Sequence, residues 1–70
     1  MFTVFASEFP YRKLAVATVA SHAEAAAFLA GKGDVIAFDA DADHPGFADA
    51  AVFSFGSLDI YTVEPVRTHH

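Results

Sequence analysis

Apolar and polar positions change their period several times along this chain, and each change predicts an element boundary. Phe2 to Ala6 is an apolar run of strand type. The next run, Leu14 to Ala20, mixes Val16, Thr18 and Val19, which favour strands, with alanines and a leucine that favour helix. Ser21-His22-Ala23-Glu24 decides between them, because a serine followed three residues later by glutamate reads as a capping box. Such a box satisfies amide groups that are orphaned only at a helix N-terminus, so Leu14–Ala20 is read as a strand and the helix as His22–Ala30. Gly31 closes that helix, where glycine supplies a left-handed conformation without a Cβ penalty. Ser7-Glu8-Phe9-Pro10 suits a hairpin connection between the first two strands.

Beyond Gly33 the pattern is simpler. Val35-Ile36-Ala37-Phe38 reads as a strand, and the runs Ala50–Phe55 and Leu58–Val63 flank Gly56-Ser57. Taking Gly56-Ser57 as a two-residue type II′ loop pairs Phe55 with Leu58, Phe53 with Ile60 and Ala51 with Thr62 on one apolar face. The opposite, semi-polar face sets Ser54 beside Asp59 and Val52 beside Tyr61. The predicted fold is α+β: an antiparallel sheet of about five strands in β-β-α-β-β-β order with one helix packed on one face. Residues 1–65 form a single small domain that Pro65 terminates, and residues 66–70 read as a disordered tail. That tail ends in His69-His70, a pair either natural or left from a purification tag.

Two features make self-association an expectation. Apart from Glu24, the helical positions Ala23 to Ala30 are all apolar, whereas a surface helix ordinarily keeps a polar side. A single sheet covers only one side of it, although alanine is also tolerated at exposed helix positions for its propensity. In addition, Phe2, Phe5, Phe9, Tyr11, Phe47, Phe53, Phe55 and Tyr61 are many aromatics for so small a body, and those left outside would form a contact surface. At 70 residues the chain lies where a lone core supplies only about 3–5 kcal/mol, and with no cysteine a disulfide staple is excluded. A second copy of the chain would supply the missing cover, so a homodimer is predicted.

Charge and candidate chemistry change this picture little. The stretch from Phe38 to Asp49 places Asp39, Asp41 and Asp43 at alternate positions, the spacing of the first, third and fifth ligands of a twelve-residue calcium loop. The sixth position is then His44 instead of glycine and the twelfth is Ala50 instead of glutamate. Strand period explains the run more simply, with Ile36, Phe38, Ala40 and Ala42 on one side and the three aspartates on the other, in water. At roughly 6.8 Å apart in water, neighbouring carboxylates repel by only about 0.6 kcal/mol. Weak calcium or manganese binding through Asp39, Asp41 and Asp43 is therefore the alternative reading, not the leading one.

The net charge of −5, with Arg12, Lys13, Lys32 and Arg67 scattered along the sequence, argues against a nucleic-acid partner. A hydrophobic fraction of 54% puts the chain well above the disordered regime. No apolar run approaches the roughly 18–20 residues of a membrane span, and the lack of cysteine suits a reducing compartment, so the expected location is cytoplasmic with no membrane partner. Ser21 and His22 do not face each other on a helix, Ser21 is the cap, His22 is expected to have no special role and His44 to be a solvated loop histidine. No catalytic constellation and no cofactor motif is legible. The sequence thus predicts a non-catalytic interaction module that pairs with itself, or with another protein.

Overall fold

Ser21 opens the only helix among the described residues, and its extended backbone turns the chain off the preceding strand. Its Oγ accepts the Glu24 N–H at 3.1 Å, and Glu24 Oε1 accepts the Ala20 N–H at 3.4 Å, one residue upstream of the usual partner. The structure is a computed structural model and describes residues 1–8, 10 and 12–66. In chain order these form β1 (Phe2–Glu8), β2 (Arg12–Val19), α1 (His22–Ala30), β3 (Asp34–Ala40), β4 (Ala48–Ser54) and β5 (Ser57–Pro65). The strands make one antiparallel sheet in the order β2-β1-β5-β4-β3. The expected α+β architecture is therefore the one found. Of the expected tail, Val66 donates its N–H to the Met1 carbonyl at 3.0 Å, while residues 67–70, His69 and His70 included, lie outside the described residues.

Because α1 follows one outer strand and precedes the other, it crosses the whole width of the sheet on a single face. Ala25 and Leu29 are its fully buried residues, and they join Val4, Val19, Ala48, Ala50, Val52, Tyr61 and Val63 in the core. Alanines at 25, 48 and 50 keep the helix close to the middle strands, and Leu29 supplies the bulk. Phe2, Phe28, Val35 and Phe38 close the perimeter. Within one chain the helix buries one side only: Ala23, Glu24, Ala27 and Ala30 remain exposed.

The helix ends differently from the expectation. Gly31 is right-handed (φ −74°, ψ −13°), and the last turn tightens through the Gly31 N–H to the Phe28 carbonyl and the Lys32 N–H to the Leu29 carbonyl. No left-handed residue is needed when the chain leaves through a tightened turn of this kind. Gly33 does have a steric role, since a Cβ there would stand 2.6 Å from the Phe53 carbonyl oxygen and 2.7 Å from the Ser54 Cβ.

The β4–β5 register is a second correction. Ser54 pairs with Ser57, Phe53 with Leu58, Ala51 with Ile60 and Asp49 with Thr62, two residues from the expected register. The turn is Phe55-Gly56, both at positive φ (50° and 80°), which is the type I′ pattern that matches strand twist. Sequence reasoning rejects a phenylalanine there because a left-handed conformation costs a residue with a Cβ about 1–2 kcal/mol. A shift of two preserves the faces. The helix covers the face carrying Val52 and Tyr61, and the more apolar face of the hairpin stays open.

Both outer strands carry a bulge. On β2 the register skips Val16, between Ala17 opposite Val4 and Ala15 opposite Phe5. On β3 it skips Ile36, between Val35 opposite Val52 and Ala37 opposite Ala51. The second bulge corrects the simple alternation expected for this strand, since it lets Val35 and Phe38, three residues apart, both pack on the core.

Candidate interaction surface

Among the described residues nothing covers the face of the sheet opposite α1. Read across the register it carries Lys13 and Ala15 on β2, Thr3, Phe5 and Ser7 on β1, Leu58, Ile60, Thr62 and Glu64 on β5, Asp49, Ala51 and Phe53 on β4, and Ala37 and Asp39 on β3. Its apolar residues gather toward the end where the β1–β2 and β4–β5 hairpins turn. There Phe53 is 44%, Leu58 54% and Ile60 44% exposed, with Phe55 protruding from the turn beside them. The other end is polar, with Thr3, Thr62, Glu64, Asp49 and Asp39. Asp39 and Asp49 stand directly opposite each other, an unfavourable like-charge pair that solvent screens.

Lys13 contacts the Glu64 carboxylate and passes over the Phe5 ring, with Nζ 5.0 Å from the ring centroid. This arrangement shields part of Phe5 and ties β2 to β5 across β1. It is largely exposed and adds little to stability. Where β1 and β5 diverge beyond the Ala6–Tyr61 pair, a shallow notch of ≈ 490 Å³ opens, walled by Pro10, Leu58 and Ile60 with Arg12, Lys13, Glu8 and Asp59 around its mouth.

Asp39, Asp41 and Asp43 do not share a strand face. β3 stops at Ala40, and only Asp39 lies on it. Asp41 ends the strand because its Oδ1 accepts the Asp43 N–H at 2.9 Å, a side-chain turn that competes with continued pairing. Its Oδ2 meets His44 Nδ1 at 3.0 Å. The Asp43 amide first, then His44, hold the Asp41 carboxyl below its ordinary value. Among the described residues no group of three or more histidine, aspartate or glutamate side chains is placed to hold a metal ion.

His22 departs from its expected lack of a role. Half-buried, it lies 4.9 Å from the Phe2 ring and 5.8 Å from the Phe38 ring by centroids, and its Nε2 meets the Gly46 carbonyl at 2.7 Å. The first helical residue thereby anchors the β3–β4 loop. No periodic signal marks such a contact, since it depends on bringing three separate segments together. His44 stays exposed, as expected of a loop histidine, though paired with Asp41 and edge-on to Phe47. Burial, then Asp59, pushes the Tyr61 phenol up, in keeping with its place in the core.

The site is thus an exposed, partly apolar sheet face with an open notch of ≈ 490 Å³ at one end. The chain matches no protein-family profile, and comparison with curated proteins and with solved structures returns no significant match. No helix among the described residues is long and apolar enough to cross a membrane.

Proposed function

We propose that this chain is a non-catalytic protein–protein interaction module, acting in the cytoplasm, that self-associates as a homodimer through its open sheet face. The observation that carries the reading is the contiguous exposure of Phe53, Leu58 and Ile60 on two adjacent central strands. Apolar surface collected in one place on a small protein marks a contact site more often than isolated exposed residues do.

Two further points favour a second copy as the occupant. Five strands about 4.8 Å apart and roughly 7 residues long make a face about 24 Å square, close to 600 Å² in projection. That is near the area each partner contributes to a standard interface, about 800 Å². The bulges at Val16 and Ile36 interrupt the outer strands, which disfavours growth by edge pairing and leaves the face as the route to association.

Sedimentation velocity over about 1–100 µM, the range matched to a modest interface, tests the reading. The wild type is expected to sediment as a dimer in the upper part of that range and Ile60→Lys as a monomer. A wild-type chain that is monomeric throughout overturns the proposal.

A further inference from the structure

Two features stand out at the hairpin end of the open face. Phe55 is 104% exposed, yet its backbone is held in a left-handed conformation that asparagine or glycine adopts more readily. The β1/β5 notch is open because pairing stops at Ala6–Tyr61, although β1 continues to Glu8 and β5 begins at Ser57. Resting on the homodimer reading, we propose that Phe55 of each copy seats in the β1/β5 notch of the other, about a two-fold axis that runs along β5.

The topology supplies the match. β5 is the middle strand of five, so the Phe55-Gly56 turn lies about half a strand spacing, roughly 2.4 Å, to its β4 side. The notch, lined by residues of β2, β1 and β5, lies to its β1 side. A two-fold along β5 between facing sheets exchanges left and right while keeping the level along the strands, and so carries each turn over the other copy's notch. The level agrees as well, since the notch starts at Leu58, the residue after Ser57, which closes the turn. Pro10, Leu58 and Ile60 offer apolar walls for the ring, and Arg12 at the mouth offers a cation for its face. Facing sheets pack at about −30°, so each β5 runs within about 15° of the axis.

Charge selects the same axis. It lays the open-face Lys13 of β2 toward the partner's β3, with Asp34 and Asp39. A two-fold lying across the strands would stack β3 on β3, acid on acid, and turn the apolar end of each face toward the Asp39, Asp49 and Glu64 end of the other. Opposed edges of unlike charge also fix the relative position of the two copies, which an apolar face alone does not.

Phe55→Asn separates the two roles of this residue. An asparagine before Gly56 is the preferred type I′ pair. In chains diluted below the dissociation constant the melting temperature is expected to rise by about 4 °C or more, while the dimer dissociation constant rises at least tenfold. Unchanged affinity in a dimeric wild type overturns the Phe55 seat and leaves the homodimer standing, and a fall in both stability and affinity assigns Phe55 to the fold and overturns it too. A wild type monomeric at all concentrations overturns the underlying reading instead. The axis is tested separately by mixing Ser7→Cys and Ala51→Cys chains with a short bis-maleimide, made clean by the absence of native cysteine. By register the two positions lie at one level on either side of β5, so mixed Ser7–Ala51 products are expected to dominate, and a predominance of Ser7–Ser7 products overturns the axis.

Discussion

Replacing Leu29 with alanine probes the attachment of helix to sheet more directly than any other change. Leu29 is 0% exposed, and Ala25, the other fully buried residue of α1, has no side chain beyond its Cβ. Truncating a fully buried leucine removes its transfer free energy and leaves a cavity, together about 2.7–5 kcal/mol. The entire stability of a 70-residue domain is about 3.5–10 kcal/mol at the usual amount per residue. Leu29→Ala should therefore remove between about a quarter and all of the monomer's stability. Urea unfolding followed by far-UV circular dichroism reads this out: with a slope of about 1 kcal/mol per molar, the midpoint should fall by roughly 3 M, or the chain should begin unfolded. Association coupled to folding makes the variant regain structure as it is concentrated, each tenfold contributing about 1.4 kcal/mol per dimer. A loss below about 1 kcal/mol would refute the view that one leucine seals the helix to the sheet. A midpoint independent of concentration in both proteins would count against coupled association.

Gly33→Ala should cost about 1–3 kcal/mol by overpacking, because the new Cβ meets the Phe53 carbonyl oxygen and the Ser54 Cβ of β4; thermal melts compared with Gly31→Ala, where a Cβ would meet only the Phe28 carbonyl oxygen at 3.3 Å, check it. Asp41 should titrate below the ordinary aspartate value of 3.8, as its hydrogen bonds from the Asp43 amide and His44 favour the carboxylate. Since the folded value is the depressed one, the turn's contribution is complete above the unfolded value and is lost as pH falls through the folded one. A carboxyl chemical-shift titration that places Asp41 at or above 3.8 would contradict this.

The bounds of the helix were legible because their signals are local, although the form of its last turn was not. Ser21 and Glu24 fix its start, and the bounds His22–Ala30 are those of the structure. The strands were legible as elements for the same reason, though β2 and β4 begin two residues earlier than their apolar runs. The choice of buried face was not. Around the β4–β5 turn both faces carry apolar residues, so a period of two has no direction, and the decision falls to what fits beneath a helix bearing Ala25 and Leu29: Ala48 and Ala50 in place of Phe53. The turn itself was missed because Phe55 violates the residue preference that sequence reading relies on. In the aspartate run, alternation predicted a longer strand than exists, because the Asp41 side chain captures the Asp43 amide and ends pairing. The anchoring role of His22 had no local signature, since Phe2, Phe38 and Gly46 converge on it from three different segments.

The pairing of β1 with β5 also governs the order of events in time. β1 with β2, and β3 with β4 and β5, are each joined by short connections and can form early, whereas the β1–β5 contact joins residues far apart in sequence and, once those pieces exist, closes the connection through α1 of about 14 residues at an entropic cost of about 2.3 kcal/mol. It is a seam between two prefabricated pieces, bridged from above by the helix. Such a non-local closure is the slow step of folding. On this topology the amide protons of the seam acquire protection last, and the end that never closes is the notch between Glu8 and Ser57.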